Sequence, residues 1–261
     1  MRLDIYQVDA FTEKIFKGNP ACVIPLKNWL PSETLLNIAR ENAVAETAFF
    51  TKTKDNYHLR WFTPEIEMDL CGHATLATAH VLYSILGVDK KKIVFETLSG
   101  NLIVRVENEL YKMDLPSRMP KPSKLPKNIH DSLNIKPLEV YKSRDFLLLY
   151  SSENDIENIT LNTELFNKSN LGTGGVIFTS KSKKCDFVSR VFFPQASILE
   201  DPVTGSAHCS LVPFWAKNLK KNKLTAMQIS ERGGYLLCKN FENRVEIAGK
   251  AKTYLTGHIY I

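Results

Sequence analysis

One glutamate stands where a charge is poorly accommodated. Glu46 falls in Asn42-Ala43-Val44-Ala45-Glu46-Thr47-Ala48-Phe49-Phe50, a neighbourhood of apolar and small residues leading into a strand-like run. Desolvation there would raise the carboxyl pKa toward the range useful to a general acid/base. A helix-capping or strand-edge glutamate is the alternative that these residues leave open.

Two other segments gather reactive types. Cys71-Gly72-His73 opens HATLATAHVLYSIL, and Asp201-Pro202-Val203-Thr204-Gly205-Ser206 opens SAHCSLVPFWA. Neither following segment contains Asp, Glu, Lys or Arg. A helix that is apolar all round is buried on all sides. Its first N–H groups are unpaired and carry partial positive charge. Gly72 and Gly205 would let a ligand approach the backbone closely. Two such ends facing each other would hold a small carboxylate. On one copy alone, an ordinary helix start with a glycine turn is the better explanation; its recurrence in both copies reverses that and favours a site. His73 reads equally as a capping or core histidine and as a catalytic one. His80 reads as structural, and His208 and Cys209 as packing residues. Glu65, Glu67 and Asp69 alternate and share one strand face; for Glu65 and Asp69 a solvated face suffices.

That recurrence is part of a longer repeat. Arg60-Trp61-Phe62-Thr63-Pro64 matches Arg190-Val191-Phe192-Phe193-Pro194, an offset of 130 residues. Cys71-Gly72-His73-Ala74 matches Thr204-Gly205-Ser206-Ala207 at 133, and Ser99-Gly100-Asn101-Leu102 matches Arg232-Gly233-Gly234-Tyr235 at the same offset. Upstream, Phe50-Thr51 matches Phe178-Thr179 at 128.

The elements that must position these groups follow. Strands are expected at 3–8, 21–24, 47–52, 57–62, 93–96 and 102–106, short and bounded by Gly, Asn and Pro. A helix is expected at 33–41 with Ser32 as N-cap, and a buried helix at 73–86. Pro213 should kink the second copy's helix. PSRMPKPSKLPK, with Pro116, Pro120, Pro122 and Pro126, reads as an extended linker. The fold class expected is α+β: two repeated domains, each a barrel-like mixed β sheet around a central buried helix. The domains expected are residues 1–117 and 118–261, with the C-terminal strand 254–261 free to join the first.

Composition narrows the function. The chain has 261 residues, 44% hydrophobic and 24% charged, the balance of a soluble globular protein. No run of 18 uncharged apolar residues suggests a membrane span, and the alternating start MRLDIYQVDAF does not read as a secretion signal. Cys22, Cys71, Cys185, Cys209 and Cys238 are scattered, with no CxxC spacing. Neither a disulfide framework nor a zinc site is expected, and a cytoplasmic location fits best. The net charge of +6 comes partly from lysine clusters set among Ser and Asn rather than aromatics, so nucleic-acid binding is not expected. Weak attraction to anionic substrates is.

Four segments then carry a resemblance across essentially the whole chain. Val8-Asp9-Ala10-Phe11 with Gly18-Asn19-Pro20-Ala21, Ala45-Glu46-Thr47-Ala48-Phe49, Cys71-Gly72-His73-Ala74-Thr75, and Asp201-Pro202-Val203-Thr204-Gly205-Ser206-Ala207-His208 resemble the phenazine-biosynthesis PhzF-like family. That family is similar in fold to diaminopimelate epimerase, with the site between two related domains. The resemblance implies a cofactor-independent isomerase, without metal, nucleotide or organic cofactor, shifting a proton on a small carboxylated metabolite. Glu46 would be the acid/base. His73, Asp201 and Ser206 would hold and polarise the substrate, and Gly72 and Gly205 would form the turns at the helix ends. A homodimer with a role in biosynthesis is expected. The epimerase relatives use two cysteines where this chain has Cys71 and Thr204, which disfavours a two-thiol racemase. A one-thiol route through Cys71, or a non-catalytic small-molecule binding protein, are the alternatives.

Overall fold

A computed structural model describes the whole chain, Met1–Ile261. It falls into two compact units, Met1–Leu115 with Glu246–Ile261, and Pro116–Val245. No helix is long and apolar enough to cross a membrane.

In the first unit, β1 (Arg2–Ala10) and β2 (Asn19–Leu26) run antiparallel. The helix α1 (Ser32–Asn42) then carries the chain to β3 (Glu46–Lys52), which lies parallel to β2. β4 (Tyr57–Phe62) pairs antiparallel with β3, and the two-residue β5 (Glu67–Met68) pairs with β4. After α2 (Gly72–His80), β6 (Lys92–Thr97) returns parallel to β4. β7 (Gly100–Glu107) and β8 (Leu110–Pro116) complete a meander. β8 alternates, burying Tyr111, Met113 and Leu115 while its other residues are half-buried, as a strand with one core face should. Every expected strand is present, most of them one to three residues longer than the sequence pattern suggested.

The same pairings recur in the second unit. β9 (Lys121–Pro122), α3 (Lys127–Ser132) and the hairpin β10 (Glu139–Lys142)–β11 (Phe146–Leu149) come first. The short helices α4 (Glu153–Glu157) and α5 (Thr163–Asn167) follow. β12 (Val176–Lys181) lies parallel to β11, and β13 (Phe187–Phe192) antiparallel to β12. β14 (Glu200–Asp201) pairs with β13. After α6 (His208–Leu219), β15 (Lys223–Gln228) returns parallel to β13 and β16 (Gly234–Phe241) antiparallel to β15. The proline-rich segment is not wholly a linker: β9 pairs with β10, an edge role that tolerates Pro122. Finally β17 (Arg244–Gly249) leads to β18 (Ala251–Tyr260), which pairs with β1 from Arg2↔Tyr260 to Ala10↔Ala251. The segment that returns to the first unit runs from Glu246, inside β17, rather than from the expected 254, and within it β18 pairs along β1.

Pair register locates equivalent residues. Arg60 faces Phe49 and Arg190 faces Phe178, so Phe178 corresponds to Phe49, not to Phe50 as the sequence match suggested. The offset of 133 also fails to persist. The turn between β6 and β7 is residues 98–99, whereas that between β15 and β16 is 229–233, so Leu236 rather than Tyr235 corresponds to Leu102. One device is duplicated faithfully. The Arg60 guanidinium grips Glu67 at 2.6 and 2.7 Å and lies 5.1 Å from the Phe62 ring. Arg190 grips Glu200 at 2.7 and 2.8 Å and lies 5.0 Å from the Phe192 ring. Glu67 is thus a structural partner. Arg60 Nη2 also donates to Ser32 Oγ at 2.8 Å, and α1 begins after Pro31 without a side-chain cap, so Ser32 is not the expected N-cap.

All nine residues of α2 are buried, as its lack of charge requires. Thr75 and Thr78 satisfy their hydroxyls on the carbonyls of Cys71 and Ala74. Residues Val81–Ile85, expected to continue the α-helix, form a wider π-helical turn. His80 contacts the Tyr111 hydroxyl at 2.9 Å and Thr253 Oγ1 at 2.8 Å, the satisfied core histidine that the sequence suggested.

Candidate active site

The first-unit cluster is assembled by a tight loop and one strand register. Asp9, buried, accepts from the Phe16 backbone N–H at 2.9 Å. Phe11, Phe16 and Gly18 have φ of 62°, 68° and 66°. A Cβ on Gly18 would lie 2.1 Å from the Ala10 carbonyl oxygen, so only glycine closes this loop without displacing backbone. The loop delivers Asn19, fully buried, to the start of β2. Two residues on, Ala21 pairs with Glu46 across the parallel β2–β3 ladder.

His73, the second residue of α2, is the centre of the cluster. Its Nε2 lies 3.2 Å from Glu46 Oε2, within ion-pair distance but without an aligned hydrogen bond. Its Nδ1 lies 3.2 Å from Asn19 Nδ2 and 3.6 Å from Cys71 Sγ. Burial lowers the His73 pKa to about 3, so the ring is neutral near pH 7. An Asn19 amide N–H donating to Nδ1 would place the ring proton on Nε2, on the side of the Glu46 carboxylate. The Glu46 side chain is 15% exposed and that of His73 3%. A partly desolvated carboxylate beside a neutral imidazole N–H can take a proton from carbon and return it, its free orientation restrained by the ring.

The second-unit residues form a separate network. Asp201 Oδ2 accepts from Thr204 Oγ1 at 2.6 Å. The buried Gln228 accepts from Thr204 N at 2.8 Å and donates to the Asp201 carbonyl at 2.6 Å. His208 Nδ1 donates to the Thr204 carbonyl at 2.8 Å, and burial lowers its pKa to about 4. Ser206 does not begin the regular helix. Residues 205–207 form a tighter turn, with His208 N bonding Gly205 O and Cys209 N bonding Ser206 O, and α6 starts at His208. Gly72, by contrast, is the first residue of α2, with Cys71 extended before it.

Within the first unit the structure thus brings Glu46, Cys71 and His73 together, and within the second Asp201 and Thr204. Sequence reasoning gave no role to Asn19 or Gln228. Asn19 stood in a quoted motif without a partner to assign. Gln228 carried a clearer signal, since it follows Leu224 and Ala226 on the buried face of β15 as a polar residue at a core position.

Two units with repeated mixed strand pairings, each with a buried helix, define the class of fold seen in epimerases. A hydroxyproline epimerase from Agrobacterium vitis shares it at a TM-score of 0.62, covering 99% of this chain and 92% of that one, at 10% identity. The chain belongs to the phenazine biosynthesis-like protein family, whose model matches residues 8–257. An uncharacterized isomerase of Pseudomonas aeruginosa is 45% identical over the full length of both chains. The crystal structure of a PhzF-family phenazine biosynthesis protein from Enterococcus faecalis matches with a TM-score of 0.94 and 45% identity, covering both chains completely.

Proposed function

We propose that this protein is an isomerase that shifts a proton on a small carboxylated metabolite, with Glu46 as general acid/base. The observation that carries the reading is the Glu46–His73 pair: a carboxylate 15% exposed, 3.2 Å from Nε2 of a buried imidazole. His73 orients Glu46 and polarises the substrate. On the resemblance, Asp201, Ser206 and the turns at Gly72 and Gly205 bind the substrate. No metal, nucleotide or organic cofactor takes part in the proposed step, and the protein acts as a cytoplasmic homodimer.

Replacing Glu46 by Gln keeps the shape and removes the base. General acid–base catalysis typically contributes about 10²–10⁴-fold, so kcat should fall by at least that much with KM little changed. Near-normal turnover would sink the assignment. A thiol route has one supporting contact, Cys71 Sγ at 3.6 Å from His73 Nδ1. A neutral ring offers that thiol no cationic stabilisation, so it is not activated as a histidinium-paired thiolate is. Cys71→Ala should therefore keep most of the rate; its inactivity beside an active Glu46→Gln would favour the thiol.

A further inference from the structure

Glu46, Cys71 and His73 supply a carboxylate oxygen, a sulfur and a ring nitrogen that lie within 4.8 Å of one another. We propose that this cluster is a binding site for a thiophilic divalent cation, Zn²⁺ foremost, whose occupancy blocks the acid/base centre. The binding site rests on the cluster's geometry, and the blocking of an acid/base centre rests on the proposed function.

The donor set is the one zinc uses. Bonds of about 2.0–2.3 Å in a tetrahedral site place ligand atoms roughly 3.3–3.6 Å apart. Here Nε2 and the Glu46 oxygen are 3.2 Å apart, and the Cys71 sulfur lies 3.6 Å from the other ring nitrogen. The three donor atoms lie within 4.8 Å of one another, so one ion on Nε2 requires the Cys71 sulfur to move from the Nδ1 side, and three ligands would then leave the fourth position open. The neighbouring shell also fits. A histidine bound to metal through Nε2 presents Nδ1–H to an acceptor, and the side-chain amide of the fully buried Asn19 stands 3.2 Å from Nδ1. Turning that amide offers its oxygen in place of its N–H. His73 would bind as the tautomer protonated on Nδ1, its ring proton moving there from Nε2, and the S–Zn bond forms as the thiol gives up its proton to solvent. Of the other cysteines, Cys22, Cys209 and Cys238 are buried and none belongs to such a cluster, which sets Cys71 apart.

The test is a titration of chelator-stripped full-length protein with Zn²⁺ against a chromophoric competitor. One equivalent should bind with a Kd roughly micromolar or tighter. Cys71→Ser and His73→Gln should each weaken it at least tenfold, and Zn²⁺ should slow alkylation of Cys71 but not of Cys185. Because a substitution at buried Cys71 could disturb folding, Cd²⁺ is added to wild-type protein as a second probe, and a thiolate-to-cadmium charge-transfer band should appear. No binding, affinity unchanged in folded Cys71→Ser, or Cd²⁺ bound without that band would overturn the proposal. None of these outcomes bears on metal-free turnover of Glu46→Gln, which decides the acid–base reading separately.

Discussion

The two helix-start regions share a scaffold and diverge in chemistry. Register makes Gly175 the equivalent of Glu46, three residues before Phe178 as Glu46 is before Phe49. A Cβ on Gly175 would lie 2.8 Å from the Phe193 ring and 3.0 Å from the Phe192 carbonyl oxygen. The second copy therefore has no room for a base at that place. Thr204 stands where the first copy has Cys71, and its hydroxyl proton is committed to Asp201. Asp201 in turn takes the place of Met68, since each pairs with the second residue of its Arg-Trp-Phe or Arg-Val-Phe segment. The repeat has left one copy with a carboxylate–imidazole–thiol cluster and the other with a hydrogen-bonded acidic turn. Under the proposed function this asymmetry favours removal and return of the proton by one base, as in an isomerisation, over inversion by two opposed bases.

The comparison can be broken at the loops that set it up. The largest stability effect is expected for Gly18→Ala, where the new Cβ meets backbone and φ is +66°. Strain and forced displacement together should cost about 2–4 kcal/mol in chemical denaturation, a loss with no counterpart at the β10–β11 turn. The duplicated arginine grip should respond alike in both units. Arg60→Met and Arg190→Met each leave a partly buried glutamate without its bidentate partner, and each should cost about 1–3 kcal/mol. A twofold disparity would show that the two copies use the grip differently.

Acid stability should separate the units next. Burial depresses His73 to about 3 and His80 to about 4 in the first unit, and His208 to about 4 in the second. Below the unfolded value of about 6.5 the unfolded chain binds the extra protons, so stability is fully present above it and is lost as pH falls toward the folded values. Each group contributes up to about 1.4 kcal/mol per pH unit, so the first unit should lose its protection against hydrogen exchange before the second. Equal loss would contradict the burial argument. The last effect is spectroscopic: Asn19→Ala removes a fully buried partner of His73, should cost about 1–3 kcal/mol, and should disturb the His73 tautomer, read by ¹⁵N chemical shifts. Unchanged shifts would deny Asn19 its orienting role.

The repeat and both buried helices were legible because a charge-free helix has only one place to go. The motifs around Glu46, Cys71 and His73 were legible as residue types. Their meeting was not, since it depends on the β2–β3 register and on a glycine-closed loop. Ser32 matched the capping preference, but Pro31 takes that position and Arg60 claims the hydroxyl. The tighter turn at 205–207 and the unequal hairpins left no mark on composition, which is why the second helix was begun too early and the offset carried too far. The pairing of β18 with β1 is not legible either, since its partners lie at opposite ends of the chain.

The central claim is tested most directly by solvent isotope exchange. Purified wild-type protein is incubated in deuterium oxide with a library of small carboxylic metabolites, and mass spectrometry follows deuterium at carbon. The account predicts that at least one carboxylate gains a single deuterium with wild-type protein and with Cys71→Ala, and that Glu46→Gln slows the gain by about 10²-fold or more. Undiminished exchange by Glu46→Gln, with loss in Cys71→Ala, would contradict it.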